Sequence, residues 1–148
     1  IELSMSVGFN GARLHQKVFE ERFHYWADKL GYLTWGESAS WVMNVNNEVA
    51  ARNFLTEWEE VVVRDRNHPS IIMWTPFNET WDRPKNLEAA RFHDRLVSDV
   101  YDLTKNVDYR PVHDVSGGYH VKTDIWSYHN YEQDAAKLKE KQTLNKEE

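Results

Sequence analysis

Glu79 is the residue whose type and setting point most directly to chemistry. It follows the nearly continuous apolar run Ile71-Ile72-Met73-Trp74 and the pair Phe77-Asn78. A carboxylate at the mouth of such a strand, walled by Trp74, Phe77 and Trp81, is expected to be desolvated. Its pKa would then rise toward the range where a carboxylic acid works as a general acid near neutrality. Asn78 adds an amide that can hydrogen-bond a substrate hydroxyl. The same spacing also suits a glutamate that only caps the following loop. Other polar residues collect where apolar runs end: His15, Glu37, Asp114 and His129. His15, Glu37, Glu79 and His129 are metal-ligand types too, but no His-x-His pair and no His-Glu-x-x-His helix occurs. The expectation is a site without a metal.

The elements that must position these residues alternate between strand and helix periods. Val7–His15 reads as a glycine-punctuated strand. Phe19, Phe23, Trp26, Ala27 and Leu30 recur at helical spacing, with Gly31 as a stop. Tyr32–Trp35 is a second strand running into Gly36-Glu37. After a polar loop to Asn47, a long helix presents Phe54, Leu55, Trp58, Val61 and Val62, and Asn67-His68-Pro69-Ser70 breaks it. Ile71–Trp74 is the kind of run a parallel strand buried on both faces shows. A third helix from near Asn86 buries Ala89, Phe92, Leu96, Val100 and Leu103. Arg110–Asp114 and Asp124–Tyr128 read as two further strands around a Gly117-Gly118 loop. The repeated strand–helix order predicts a parallel α/β architecture. Gly8-Phe9-Asn10-Gly11 lacks the third glycine of a dinucleotide fingerprint, which disfavours a Rossmann fold. Polar residues at successive strand ends fit the C-terminal face of a β/α barrel, yet a whole barrel takes roughly 250 residues. The reading is a partial (β/α)8 TIM barrel over residues 1–131, followed by a charged tail, 132–148, that is helical or disordered.

Composition narrows the function classes. The chain has 148 residues, 41% of them apolar, enough for a core. No stretch approaches the roughly 20 apolar residues of a membrane helix, and no signal-peptide pattern opens the chain, which starts without Met and so reads as a piece of something longer. Zero cysteines exclude disulfides, thiolate zinc sites and cysteine nucleophiles. They leave the compartment open, with the cytoplasm as the default. A net charge of −6 argues against a nucleic-acid partner. Seven Trp and seven Tyr suit stacking on sugar rings. Trp26 and Trp58 read as core packing; Trp35, Trp41, Trp81 and Trp126, near strand ends or loops, are candidates for a sugar face.

The run Arg64-Asp65-Arg66-Asn67-His68-Pro69-Ser70-Ile71-Ile72-Met73-Trp74, followed by Asn78-Glu79, resembles the acid/base signature of glycoside hydrolase family 2, which includes β-galactosidases, β-glucuronidases and β-mannosidases. Gly8–His15 is similar to that family's second barrel strand, and Asp28–Glu37 to its second helix running into the third strand. The resemblance covers about the first 130 residues in order, so the strands here correspond to roughly the second to the sixth. It implies a retaining β-glycosidase acting on a carbohydrate, with Glu79 as acid/base and Asn78 as partner of the sugar 2-hydroxyl. Arg13 and His15 would line the sugar site, although Arg13 equally suits a pair with a neighbouring strand's carboxylate. Glu37 is expected to bind substrate or lend a supporting hydrogen bond. Trp81, His129 and Tyr131 would border the sugar, with Tyr128 and Tyr131 both open as the tyrosine family members place near the nucleophile. No cofactor is implied beyond a magnesium ion that some relatives hold. The nucleophile, by resemblance a Glu ending the seventh strand, has no counterpart here, nor do the first strand and the N-terminal sandwich domains. The isolated chain is therefore expected to be inactive and, with barrel edges open, to self-associate. A non-catalytic carbohydrate-binding or structural module is the alternative. The identity of the sugar stays open; a uronic acid would need a cationic partner that neither Arg13 nor Arg83 is placed to claim.

Overall fold

The computed structural model describes residues 1–80 and 87–142. In chain order the elements are α1 (Glu2–Ser6), β1 (Gly11–Arg13), α2 (Glu21–Leu30), β2 (Leu33–Glu37), α3 (Glu48–Asp65), β3 (Ile71–Thr75), β4 (Phe77–Asn78), α4 (Leu87–Val107), β5 (Val115–Ser116) and α5 (Ala135–Gln142), with a 3-10 turn at Ser40–Val42. All strand pairs are parallel: β1 lies beside β2, β2 beside β3, and β4 beside β5. A bridge between Trp74 and Val112 joins the two sheets. Strands β3 and β4 are one extended segment interrupted at Pro76, which has no N–H to give to a ladder. Four parallel strand segments therefore stand side by side with helices α2, α3 and α4 between them, as in a barrel wall.

The core lies between sheet and helices. Trp58 and Val62 of α3 and Leu96, Val97 and Val100 of α4 close over Ile71, Trp74, Phe77 and Val115. Trp58 meets Trp74 edge-on and donates its indole N–H to Thr104 Oγ1 at 2.8 Å, so even its polar atom is satisfied in the core. Asn47 caps α3, its side-chain oxygen accepting the N–H of Ala50 at 2.9 Å. Gly31 closes α2 in the left-handed conformation, as expected.

Four expectations are corrected. The strand expected at Arg110–Asp114 is a single bridge at Val112, the ladder itself forming at Val115–Ser116 opposite Phe77–Asn78. The segment 124–128 forms no strand, because its amides bond side chains instead: Ile125 N–H donates to Thr123 Oγ1 and Ser127 N–H to His120 Nε2. The first strand is three residues long rather than nine, preceded by the short helix α1, since its ladder with β2 pairs Gly11–Arg13 with Leu33–Trp35 and no residue before Leu33 belongs to β2. Trp26 is not packed; it is 54% exposed, because the buried face of α2 runs through His24 and Ala27. The predicted start of the third helix near Asn86, and the residues Trp81 and Arg83, lie outside the described residues. Among the described residues no helix is long and apolar enough to cross a membrane.

Candidate active site

Arg13, Glu37, Asn78 and Ser116 are the last residues of β1, β2, β4 and β5. Because the strands are parallel, these four side chains emerge at the same end of the sheet. That topology gathers most of the polar residues singled out above into one network.

Its centre is the pair of Glu37, fully buried, with Arg13. Arg13 Nε donates to Glu37 Oε2 at 2.5 Å and Nη2 to Glu37 Oε1 at 2.9 Å, a bidentate fork. The pairing of Arg13 with a neighbouring strand's carboxylate is thus the geometry present. Arg13 Nη2 also donates to Asn78 Oδ1, which leaves the amide's NH2 as its donating end. The backbone of Asn78 is fixed on both sides: its N–H donates to Ser40 Oγ at 3.2 Å, and its carbonyl accepts the Trp41 indole N–H at 3.0 Å. His15, half-exposed, places Nδ1 at 2.8 Å from Glu37 Oε1 and 2.9 Å from Arg13 Nη2. That nitrogen can donate to the carboxylate or accept from the guanidinium, but not both.

Glu79 is reached from the other side. Tyr131 donates its hydroxyl to Glu79 Oε1 at 2.5 Å, and His129 Nδ1 bonds the same oxygen. His129 Nε2 lies 3.4 Å from Arg13 Nη1 and 3.2 Å from Ser116 Oγ. A guanidinium can only donate, so Nε2 accepts, the ring proton sits on Nδ1, and His129 is a donor to Glu79. The ring lies against Gly117, where a Cβ would meet its atoms at 2.2 Å. Tyr131, not Tyr128, is the tyrosine at Glu79; the Tyr128 hydroxyl donates instead to the carbonyl of Lys141 at 3.3 Å.

The charge state of Glu79 overturns a sequence expectation. Its carboxyl is held below its ordinary value, not raised: the Tyr131 hydroxyl stabilises the anion, and the bond from His129 adds to it, so the two outweigh burial. Trp74 and Phe77, expected to wall the carboxylate, are instead fully buried in the core toward the helices. Of the remaining tryptophans, Trp41 is 66% exposed and borders a cleft of about 290 Å³ with Asn44, Asn46, Asn78, Glu79 and Thr80. Trp35 packs edge-on against His113, and Trp126 is exposed beside His120 and Tyr128. Asp114 serves the loop: its carboxylate accepts from the N–H groups of Val115, Val121 and Lys122 and pairs with His120.

Sequence reading missed Ser40, whose hydroxyl accepts the Asn78 N–H, and Ser116, whose carbonyl accepts the Glu79 N–H at 3.0 Å. Serines carry no periodic or spacing signal; the 3-10 turn reveals Ser40 and the strand register Ser116. Among the described residues no group of three or more His, Asp or Glu side chains could hold a metal ion. Glu79 meets an imidazole and a phenol, whereas magnesium favours a shell of carboxylate, carbonyl and water oxygens.

The profile of glycosyl hydrolases family 2, TIM barrel domain, matches residues 10–148. A putative β-glucuronidase of Formosa agariphila is 27% identical over 110 residues, 73% of this chain and 13% of that protein. Human β-glucuronidase is 38% identical over 71 residues, 47% of this chain and 10% of that protein. Among solved structures, a Ruminococcus gnavus β-glucuronidase in complex with D-glucuronic acid superposes with a TM-score of 0.64 at 25% identity, covering 75% of this chain and 18% of that one. The β-glucuronidase of an uncultured Clostridium species has the same fold, with a TM-score of 0.65 at 23% identity over 78% of this chain and 20% of that one. The chain thus spans a small part of each relative's length. With the profile matched over nearly the whole chain, and the parallel β/α wall and its strand-end network on the page, this chain belongs to glycosyl hydrolase family 2, as part of its TIM barrel domain.

Proposed function

We propose that these residues form the acid/base half of a retaining β-glycosidase site that acts on β-glucuronides. The observation that carries the reading is the convergence of two donors, Tyr131 and His129, on Oε1 of Glu79, which leaves Oε2 for the substrate at the border of the open cleft. In the resting site Glu79 is ionised. When substrate enters, water leaves the cleft and the exposed Tyr131 hydroxyl is drawn to another acceptor, so the stabilisation of the anion falls and Glu79 takes up a proton. As an acid it protonates the glycosidic oxygen while the bond to the anomeric carbon breaks and a second carboxylate attacks that carbon. As a carboxylate it then takes a proton from the water that displaces the second carboxylate. Asn78, oriented by Arg13, donates to the sugar 2-hydroxyl, and Trp41 offers a face for stacking. Both oxygens of Glu37 are engaged by Arg13, so we assign the nucleophile to a residue outside this chain, in line with the family resemblance. Glucuronide is chosen over galactoside because the relatives described above are β-glucuronidases.

The test uses leaving groups of different acidity. The 148-residue chain should bind D-glucuronic acid without turning over phenyl β-D-glucuronide. In a longer product that also carries the second carboxylate, Glu79→Gln should slow phenyl β-D-glucuronide by about 10²–10⁴-fold. In kcat/KM, which reports the bond-breaking step, the 2,4-dinitrophenyl glucuronide, whose leaving group needs no proton, should lose far less, while its kcat still falls because the water step needs Glu79 as base. An equal loss of kcat/KM on both would sink the acid/base assignment. Binding of galactose in preference to D-glucuronic acid would sink the choice of sugar.

A further inference from the structure

A buried histidine outside the network reaches the same strand end from the helix layer. His93, on α4, is 1% exposed. Its Nδ1 lies 3.1 Å from Asp94 Oδ1 and its Nε2 3.0 Å from Thr80 Oγ1. An ionised carboxylate only accepts, so the ring proton sits on Nδ1 and Nε2 accepts the Thr80 hydroxyl proton.

Thr80 follows Glu79, and Glu79 is the only non-glycine residue with positive φ, 50°, among the described residues. A left-handed backbone at a residue with a Cβ is disfavoured and persists only where its surroundings hold it. Several contacts do so. The N–H of Glu79 is tied to the Ser116 carbonyl at 3.0 Å. Gly118 lies so close that a Cβ there would be 3.2 Å from Glu79 Cα and 3.3 Å from Thr80 N. These contacts press on the peptide from the β5 side. His93 anchors it from α4.

We propose that His93 is a positioning residue, which fixes the Glu79–Thr80 peptide in its left-handed turn and thereby aims the Glu79 carboxyl at the cleft. The proposal rests on the reading of Glu79 as acid/base. The His93 end of the bond is fixed, since Asp94 sets the tautomer of the ring and burial holds the ring in place.

The experiment has two readouts. In the unliganded chain, amide hydrogen exchange is followed at Glu79 in Thr80→Val, His93→Leu and His93→Gln. Thr80→Val removes only the hydroxyl and should speed exchange at Glu79 about tenfold, the loss of one hydrogen bond's worth of holding. His93→Leu should do the same. His93→Gln, whose amide oxygen can accept where Nε2 did, should stay close to the parent. In the longer product, Thr80→Val should lower kcat on phenyl β-D-glucuronide about tenfold at little change in KM, and lower kcat/KM on the dinitrophenyl glucuronide less. Should His93→Leu fail to fold, Thr80→Val decides alone. Unchanged exchange at Glu79 in Thr80→Val overturns the anchor. Faster exchange with kcat/KM on the two glucuronides lowered alike overturns its role in aiming the carboxyl. Failure of the acid/base reading itself shows separately, as an equal loss of kcat/KM on the two glucuronides in Glu79→Gln, and leaves the exchange result intact.

Discussion

Two clusters of histidine, carboxylate and arginine stand at opposite ends of the strands, built from the same residue types and put to different uses. At the N-terminal end, Asp28 accepts from the Ser70 N–H at 2.8 Å and pairs with His68 at 2.6 Å, while Arg64 forks onto Asp65 at 2.7 Å and reaches the Phe19 carbonyl. The bonds of Asp28 join α2 to the chain entering β3, and that of Arg64 to Phe19 joins α3 to the loop before α2, while the Arg64–Asp65 fork lies within α3. His24 and His68 lie ring to ring at 5.2 Å inside this cluster. At the C-terminal end, Arg13 and Glu37 are locked with equal thoroughness, but the network ends at Glu79, on the edge of an open cleft. Bound carboxylates alone do not make a site. The difference lies in the oxygen of Glu79 that its two donors leave free and the cleft that oxygen borders, and a barrel puts that combination at the C-terminal ends of its strands.

The largest effect that separates the clusters after loss of Glu79 itself is on stability. Asp65→Ala strips a buried carboxylate from Arg64 and from its contact with His24 at 3.6 Å, and should cost about 3 kcal/mol. Affinity for D-glucuronic acid should be unchanged in the folded fraction. Denaturant unfolding and calorimetric titration of one preparation measure both. A variant that keeps its stability but binds the sugar poorly would show that the two ends are coupled, and the division of labour would fail.

Much of this division could be read from residue order. The run Ile71–Trp74, the stop at Gly31 and the apolar faces of α3 and α4 pointed to the parallel β/α order, and the strand ends carrying Glu37 and Asn78, with Glu79 next to the latter, pointed to the candidate site; His129 joins it from a segment that is not a strand. What escaped depended on partners that periodicity does not encode. Asp124–Tyr128 has the β-branched and aromatic residues of a strand, yet the amides of Ile125 and Ser127 are taken by Thr123 and His120. Trp26 recurs at helical spacing, but the face of α2 that meets the sheet holds His24, a polar residue that a count of apolar positions skips. The carboxyl of Glu79 was expected to rise because its apolar neighbours were visible in sequence, whereas the bonds that His129 and Tyr131 make to it, from 50 and 52 positions away, could not be read from spacing, although both were named as site residues.

Each region also holds a buried, neutral histidine, and acid should expose their shared cost. Burial pushes His24 down, and burial with the nearby His120 pushes His113 down to about 4. For a histidine lowered on folding, stability is complete above the unfolded value near 6.5 and is lost as pH falls from there toward the folded value, because the unfolded chain takes up the proton first. By pH 5, His113 should account for about 2 kcal/mol of lost stability. Unfolding free energies measured between pH 7 and pH 5 should fall less steeply in His113→Gln than in the parent. An identical slope would mean that His113 charges without leaving its place beside Ser127, and the burial of its neutral form would not be what that interior demands.

The smallest effect bears on what makes the C-terminal end open. Trp41 both holds the Asn78 carbonyl through its indole N–H and turns its ring to the cleft. Trp41→Ala removes both contributions and should weaken D-glucuronic acid binding about fivefold, close to 1 kcal/mol, if the ring stacks on the sugar. Trp41→Phe keeps an aromatic face and deletes only the N–H, so it should retain most of the affinity. If Trp41→Phe binds as weakly as Trp41→Ala, the ring face is idle and the tryptophan works as a brace on Asn78. The C-terminal end would then differ from the lower cluster only in the single free oxygen of Glu79. A retained affinity in Trp41→Phe places the second distinction in the cleft wall, where an exposed aromatic face has a use that the ring pair of His24 and His68, closed in by helices, does not.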